Sequence, residues 1–174
     1  MPGRFSLRRN MKQIALLSDT HSYLDAHILK ALEGADEIWH GGDFGSMEVV
    51  EKLRALAPLQ GVWGNIDGLP IRVEFPELNV FHCEGVKVAM QHIGGYPGRY
   101  AKGVKEMLQA ERPQLFISGH SHILKIMPDK ALDLLHLNPG AAGRQGWHKV
   151  RTLVRFVVEG AALRDMQVVE LAGR

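Results

Sequence analysis

Two kinds of hydrophobic pattern alternate along the first third of the chain, and this alternation constrains the fold more than any other feature. Three short, nearly continuous apolar runs are typical of strands buried on both faces of a sheet: Lys12–Ser18, Glu37–His40 and Leu59–Trp63. The two segments between them, Ala26–Leu32 and Met47–Leu56, carry apolar residues at helical spacing. This strand-helix order requires right-handed crossovers and predicts a sheet with a parallel portion.

The second part of the chain is dominated by strand patterns. Asn79–His82 and Val86–Gln91 flank Glu84-Gly85 and predict a hairpin, and helical spacing predicts a helix over Tyr100–Glu111. Further apolar runs predict five more strands: Leu115–Ser118, Ile123–Met127, Leu134–Leu137, Thr152–Val158 and Leu163–Val169. We therefore predict an α/β fold (α+β in some schemes), a four-layer α-β-β-α sandwich of two mixed β-sheets flanked by helices.

Length and cysteine content indicate one domain in a reducing compartment. The chain has 174 residues and one cysteine, Cys83, which excludes internal disulfides and a cysteine-bound structural zinc. We expect residues 11–174 to form a single domain after a loose N-terminal extension over residues 1–10, with a cytoplasmic location. No segment is apolar for long enough to span a bilayer, so we expect no membrane partner.

Side chains that bind metals follow the predicted strands at their carboxyl ends. The clusters are Asp19-Thr20-His21, Gly42-Asp43, Gly64-Asn65-Ile66-Asp67, Gln91-His92 and Gly119-His120-Ser121-His122. Folds of the α/β class place their sites at this edge of the sheet. Residues i and i+2 of an extended chain point the same way, about 6.5 Å apart, so each Asp-x-His or His-x-His pair can face one cavity.

These clusters supply more donors than one tetrahedral ion requires. They suit two ions about 3.5–4 Å apart that share a bridging carboxylate. Carboxylate, amide and imidazole donors without thiolate favour Mn, Fe, Co, Ni or Zn in a catalytic site over a structural zinc. The candidate ligands are Asp19, His21, Asp43, Asn65, His92, His120 and His122.

The order of these motifs resembles that of the calcineurin-like metallophosphoesterases, and more narrowly of their small single-domain members, the YfcE-type phosphodiesterases. Asp-x-His, Gly-Asp, Gly-Asn-x-Asp, a lone His after a strand and Gly-His-x-His occur in the family's order. The resemblance covers essentially the whole chain from Met11 and includes the later Asn138-Pro139-Gly140. It implies a β-sandwich flanked by helices, and hydrolysis of a small phosphoester by a hydroxide that bridges two divalent transition-metal ions, with manganese the most expected.

The resemblance also implies a role for each candidate ligand. It divides them into two overlapping sets: Asp19, His21, Asp43 and His122 for one ion, and Asp43, Asn65, His92 and His120 for the other. Asp43 would bridge the ions, and Asp43, Asn65 and His92 are the expected catalytic residues.

Two positions depart from the family pattern. Many members have His where this chain has Ile66, and that imidazole binds phosphate and protonates the leaving group. Many small members also have His-Gly-His where this chain has His92-Ile93-Gly94. We therefore expect this chain to lack one proton donor and one substrate contact.

Other polar residues near the motifs have less specific interpretations. His40 is a candidate for the layer of residues behind Asp43, and Asp67 for an acceptor that orients Asn65 or a histidine, or for a turn residue. Cys83 is expected to be a buried, inert thiol. The rest are interpreted as structural or exposed histidines (His82, His136 and His148), as solvated charges or substrate contacts (Arg99, Lys125 and Arg144), and as an entrance loop (Gly94–Gly98).

Two other functions fit the same motifs. The eukaryotic retromer scaffold subunit resembles the small members in fold, yet it serves protein assembly and lacks part of the ligand set. The complete set here favours catalysis. Larger members cut DNA, but 21 Lys+Arg against 19 Asp+Glu give a net charge of only +2, too small for a nucleic-acid track. We expect a small phosphoester substrate, and homo-oligomerisation stays open.

Overall fold

The computed structural model describes residues 10–173, so nearly all of the predicted N-terminal extension lies outside the described residues. Within this range the chain forms twelve strands and four helices. In order they are β1 Met11–Leu17, α1 Ala26–Leu32, β2 Glu37–His40, α2 Met47–Leu56, β3 Leu59–Gly61, α3 Leu69–Glu74, β4 Leu78–Cys83, β5 Val86–Gln91, β6 Gly95–Tyr96, β7 Arg99–Tyr100, α4 Val104–Glu111, β8 Leu115–Ile117, β9 Leu124–Asp129, β10 Leu134–Pro139, β11 Arg151–Glu159 and β12 Ala162–Leu171.

The longer strands form two five-stranded sheets of mixed direction. The first has the order β12-β11-β1-β2-β3. In it β1, β2 and β3 are parallel, β11 is antiparallel to β1, and β12 is antiparallel to β11. The second has the order β4-β5-β8-β10-β9, with three parallel central strands and an antiparallel strand at each edge. The prediction of two mixed sheets is confirmed.

Alternation along β1 shows how the layers form. Ile14 and Leu16 pack into the core between the two sheets, together with residues of β5 and β8. Ala15 and Leu17 point to the opposite face and pack against α1 and α2. All four are fully buried, and burial of each large side chain contributes roughly 1.5–3 kcal/mol. A strand between two apolar layers requires the continuous apolar run seen in the sequence.

The second sheet is covered in the same way. Ala89 of β5 and Phe116 of β8 face outward and pack against Val104 and Leu108 of α4. Helices therefore lie outside both sheets, and the four-layer α-β-β-α prediction is confirmed.

The elements that differ from the prediction are short. The sequence did not predict α3, because its six residues bury only Ile71 and so carry no helical periodicity. The strand β6 lies in the segment that was interpreted from the sequence as an entrance loop, and Tyr100 of β7 was assigned to the helix that follows. Tyr100 pairs with Gly95 in the β6–β7 hairpin, so α4 begins at Val104 and not at Tyr100. The strand β3 ends at Gly61 because the N–H of Trp63 turns away to the carbonyl of Pro76.

The loops that follow the parallel strands are joined by backbone hydrogen bonds at one end of the sandwich. The N–H of Asp19, after β1, donates to Gly42 after β2 (3.0 Å), and the N–H of Gly119, after β8, donates to His92 after β5 (3.0 Å). The N–H of Ala142 donates to Ser18 and ties the β10 exit to the first sheet. Among residues 10–173, no helix has the length and apolar character needed to cross a membrane.

Candidate metal centre

The structure brings all seven candidate side chains together where the two sheets meet. Asp19 and His21 follow β1, Asp43 follows β2 and Asn65 follows β3, all in the first sheet. The second sheet supplies the rest: His92, His120 and His122. Five separate loops thus converge on one centre.

Asp19, His21 and His122 form one donor group. Their ligand atoms all lie within 4.8 Å of one another. His122 Nε2 is 3.1 Å from Asp19 Oδ1, and the Nε2 atoms of His21 and His122 are 3.3 Å apart. Ligand atoms about 2.1 Å from a common ion have separations of this size.

Asp43, His92 and His120 form a second donor group with the same spacing. His92 Nε2 is 3.2 Å from Asp43 Oδ2. His120 Nδ1 is 2.9 Å from the amide oxygen of Asn65, so the amide belongs to this group as well.

Asp43 lies between the two groups. Its Oδ2 atom is 3.2 Å from His92 Nε2 and 3.6 Å from His21 Nε2, which belong to different groups. Asp43 thus contacts both groups more closely than Asp19 does, since Asp19 Oδ1 is 3.9 Å from His92 Nε2 of the second group.

Hydrogen bonds fix the direction in which the donors point. His92 Nδ1 lies 2.7 Å from the carbonyl of Gly41, which leaves Nε2 facing the centre. Asp19 Oδ2 accepts from the hydroxyl of Ser18 at 2.6 Å and from the N–H of His120 at 3.2 Å. Asp43 Oδ1 accepts from the N–H of Ile66 at 3.1 Å. In each case the outer atom is engaged and the inner atom remains available.

Two of the inner atoms identify the centre as a cation site. Asp19 Oδ1 and His92 Nε2 are buried, and among residues 10–173 neither makes a well-aligned hydrogen bond, although His122 Nε2 and Asp43 Oδ2 respectively lie close to them. A buried, unpartnered carboxylate oxygen is costly, and a divalent cation satisfies both an anionic oxygen and a neutral imidazole nitrogen. The residues present therefore fit a metal.

The backbone is strained where the ligands lie. Five candidate ligands have positive φ: Asp19 (55°), His21 (47°), Asp43 (58°), His120 (67°) and His122 (59°). Left-handed backbone costs a residue with a side chain roughly 1–2 kcal/mol, and such strain concentrates at functional sites.

Two glycines permit the close approach of the loops. A Cβ atom on Gly64 would lie 2.0 Å from Asp43 Oδ1. Gly42 has a φ of 102°, and a Cβ there would lie 2.5 Å from His92 Nδ1. Neither position accommodates a larger residue without moving a candidate ligand.

Asp67 connects the two loops that carry Asp43 and Asn65. Its buried carboxylate accepts three backbone N–H groups, from Phe44 (3.2 Å), Gly45 (2.8 Å) and Gly64 (2.8 Å). Asp67 therefore holds backbone in place. It does not orient the side chain of Asn65 or of a histidine, as one of the two interpretations of the sequence expected.

Comparison with known proteins agrees with this geometry. A profile of the calcineurin-like phosphoesterase superfamily domain matches residues 11–161. The chain belongs to this superfamily. A probable metallophosphoesterase of Methanothermobacter thermautotrophicus is 29% identical to it over 133 residues, which are 74% of this chain and 76% of that protein.

Two solved structures show the same fold at lower identity. An archaeal phosphodiesterase superposes with a TM-score of 0.71 at 21% identity, covering 91% of this chain and 99% of its own. Wild-type Vps29 of Entamoeba histolytica in complex with Zn²⁺ superposes with a TM-score of 0.65 at 17% identity, covering 91% of this chain and 98% of its own.

Burial and neighbouring charges shift the pKa values of the candidate ligands in opposite directions. Burial acts against protonation of His92, but Asp43 and Asp19 outweigh it and raise the pKa of the imidazole. The contact with Asp19 raises the pKa of His122, whereas burial lowers that of His21. Burial acts to raise the pKa of Asp43, yet the neighbouring His92 holds it below its usual range. Because imidazole binds a metal only when neutral, a cation must displace protons here.

The two departures from the family pattern lie at the rim of the centre. Ile66 contributes its N–H to Asp43, but its side chain is 45% exposed and has no proton to donate. Ile93 is 44% exposed and lines a small crevice with Asn65 and His92.

The other histidines take structural positions or lie beside the centre. His40 is fully buried, lies 3.0 Å from Thr20 Oγ1 and accepts from the N–H of Gly42; burial lowers its pKa to about 3. His136 is buried in β10, and burial lowers its pKa to about 4. His82 is exposed on β4. His148 was expected to be structural or exposed, but its ring lies edge-on to His122, with centroids 5.2 Å apart.

The remaining candidates are accounted for by local packing. Cys83 is buried, and burial raises its pKa to about 11, which agrees with an inert thiol. Lys125 lies over the ring of Tyr96 at 3.7 Å. Arg144 lies over the ring of Tyr23 at 4.6 Å. Arg99 is exposed and lines a cavity of about 260 Å³ that His120 also borders, so it shares a cavity with a candidate ligand.

Proposed function

We propose that this chain is a phosphoester hydrolase that uses two divalent transition-metal ions and acts chiefly on small phosphodiesters, with monoesters as secondary substrates. The observation that carries the proposal is the pair of donor groups connected by Asp43, with two buried inner atoms that make no well-aligned hydrogen bond to any of residues 10–173. The superfamily membership and the archaeal phosphodiesterase of the same fold support this reaction type.

We assign the ligands in two sets. Asp19, His21, Asp43 and His122 would hold one ion, and Asp43, Asn65, His92 and His120 the other. Manganese is the proposed metal, since the mixed set of carboxylate, amide and imidazole donors is of intermediate hardness. The Zn²⁺ complex of Vps29 supports divalent binding in this fold. We further propose that residues 11–174 act as one domain.

The ions, when bound, would acidify water and neutralise phosphoryl charge. The protein itself contributes by holding the side chains of the candidate ligands in fixed positions. Asp43 stays ionised because its pKa is held low, and the N–H of Ile66 fixes the direction of the carboxylate. The carbonyl of Gly41 fixes the ring of His92. Preorganised groups of this kind need no rearrangement during the reaction.

The chain offers no imidazole at position 66 to protonate the departing oxygen. General acids typically contribute about 10²–10⁴-fold to rate. We therefore propose that the enzyme favours acidic leaving groups such as nitrophenols over simple alcohols.

The test is reconstitution of metal-free protein. After chelation we expect activity on bis-p-nitrophenyl phosphate to fall at least about 100-fold and to return with Mn²⁺, with two ions bound per chain. Fe, Co, Ni and Zn serve as competing metals in the same assay. Full activity with a single bound ion would remove the two-ion proposal.

A second candidate function is protein assembly. It is favoured by the exposed side chains of Ile66 and Ile93 beside the centre, 45% and 44% exposed, and by the Vps29 fold. Metal-loaded protein that hydrolyses neither diesters nor monoesters would support this function over catalysis.

A further inference from the structure

A cavity of about 370 Å³ opens beside the metal centre. His120 and His122 line it on the side of the centre, and Ile123, Trp147 and His148 line it on the outer side. Its size is within the range of cavities that hold small ligands. A phosphoester whose phosphorus lies at the centre can place one of its ester groups here.

The loop that carries Trp147 is fixed to the centre on both sides of the tryptophan. The N–H of Gly143 donates to the carbonyl of Asp19 at 3.1 Å. Gly146 is so close to His122 that a Cβ atom on it would lie 2.2 Å from His122 Nδ1. His148 lies edge-on to His122 at 5.2 Å, and its Nε2 is 2.9 Å from the carbonyl of Gly143.

The side chain of Trp147, in contrast, is 99% exposed. The other two tryptophans of the chain are covered: Trp39 is fully buried, and the guanidinium of Arg72 lies over the ring of Trp63 at 4.1 Å. An exposed indole on a fixed backbone is a stacking surface whose ordering cost is small, because it has only two side-chain torsions.

The lining of the cavity defines what fits it. Ile123 is 61% exposed and supplies a second apolar surface, and no Asp, Glu, Lys or Arg of the described residues is among those that line this cavity. An uncharged, flat, aromatic group matches this lining better than a charged or purely aliphatic one.

We propose that Trp147 and Ile123 form a subsite that binds a planar aromatic group of the phosphoester, with Trp147 as its stacking surface and a main determinant of specificity. This inference rests on the proposed phosphoesterase function. The aromatic group is either a nucleobase or a simple aryl ring, which share the same stacking chemistry.

Direct binding to the metal-loaded full chain tests the subsite. Two pairs of probes share their phosphorus group and differ in the aromatic ring: phenylphosphonate against methylphosphonate, and AMP against ribose 5-phosphate. Isothermal titration gives the affinity ratio within each pair for the wild type, Trp147→Ala and Trp147→Phe. Val73→Ala is the control, since Val73 is 75% exposed on α3 and outside the cavity.

We expect at least one aromatic probe to bind more tightly than its partner. Trp147→Ala should reduce that ratio by about 5- to 100-fold, the usual contribution of one base–aromatic stack, whereas Trp147→Phe and Val73→Ala should largely retain it. An effect on the AMP pair alone identifies a nucleobase subsite, and an effect on both pairs a general aromatic one. A ratio that Trp147→Ala leaves unchanged, with methylphosphonate still bound, overturns the subsite alone. Absence of metal-dependent binding of every probe overturns the proposed function and the subsite with it.

Discussion

Replacement of Asp67 by alanine should destabilise the protein and weaken its metal centre together. The Asp67 carboxylate accepts N–H groups from two loops, one carrying Asp43 and the other Asn65; the N–H of Ile66 adds one further hydrogen bond between these loops, to Asp43 Oδ1. In the alanine variant, those three donors remain in a site that is almost closed to water, because Asp67 is only 2% exposed.

The size of the effect follows from the number of donors. A hydrogen bond to a charged group contributes roughly 1.5–3 kcal/mol, so three of them amount to about 4.5 kcal/mol at the lower limit. Water that enters the vacated space recovers part of this. We expect the free energy of unfolding to fall by about 3–5 kcal/mol, a large part of the 5–15 kcal/mol typical of a domain. Asp67→Asn, which keeps one acceptor oxygen, should lose about half as much.

Urea unfolding of the metal-free protein measures the stability, and titration with Mn²⁺ measures the centre. Asp36→Ala is the matched control, because Asp36 is exposed and accepts a single backbone N–H, from Gln13 at 2.7 Å. That variant should lose less than about 1 kcal/mol and bind metal normally. If Asp67→Ala were as stable as Asp36→Ala, or bound two ions with unchanged affinity, the role we give to Asp67 would be wrong.

Three further outcomes are expected. Asp43→Asn should lower turnover at least about 100-fold and reduce the metal content, while His82→Ala, an exposed histidine on β4, should change neither; equal metal content in both variants contradicts the bridging position. Ile66→His should accelerate alkyl esters more than nitrophenyl esters and so flatten the plot of log rate against leaving-group pKa; an unchanged slope means that another acid serves the reaction. Burial lowers the pKa of His136 from 6.5 to about 4, so the contribution of the neutral His136 to stability is complete above pH 6.5 and is lost as the pH falls toward 4. His136→Gln should therefore reduce the pH slope of the unfolding free energy in that window by about 1.4 kcal/mol per pH unit, as measured by urea unfolding.

The sequence predicts the sandwich well because its strands are buried on both faces. Ala15 and Leu17 face the helices while Ile14 and Leu16 face the other sheet, and this burial produces runs that no surface strand has. The elements that the sequence misses, α3 and the β6–β7 hairpin, are short and half-exposed. Their conformation depends on contacts with neighbouring segments such as the loop after β3, and such contacts leave no periodic pattern in the sequence.

The convergence of the candidate ligands was predictable because each ligand follows the end of a predicted strand. The carboxyl ends of parallel strands lie at one edge of the sheet. What the sequence did not contain is the surroundings of each ligand. His148 is remote from His122 in the chain and carries no motif of its own, and its contact with that ring depends on the path of the loop after β10. The task of Asp67 is likewise set by where three backbone N–H groups point.

The left-handed backbone at five of the candidate ligands also affects how this chain can drift under mutation. Glycine and asparagine adopt the left-handed conformation at a lower cost than residues with larger side chains. Replacing His120, whose φ is 67°, by either residue therefore relieves strain while it removes a metal donor. Each such replacement would then stabilise the fold by up to about 1 kcal/mol. A gene copy that is not under selection for turnover could lose these donors, keep the fold and gain stability. Such a copy could then acquire a non-catalytic role.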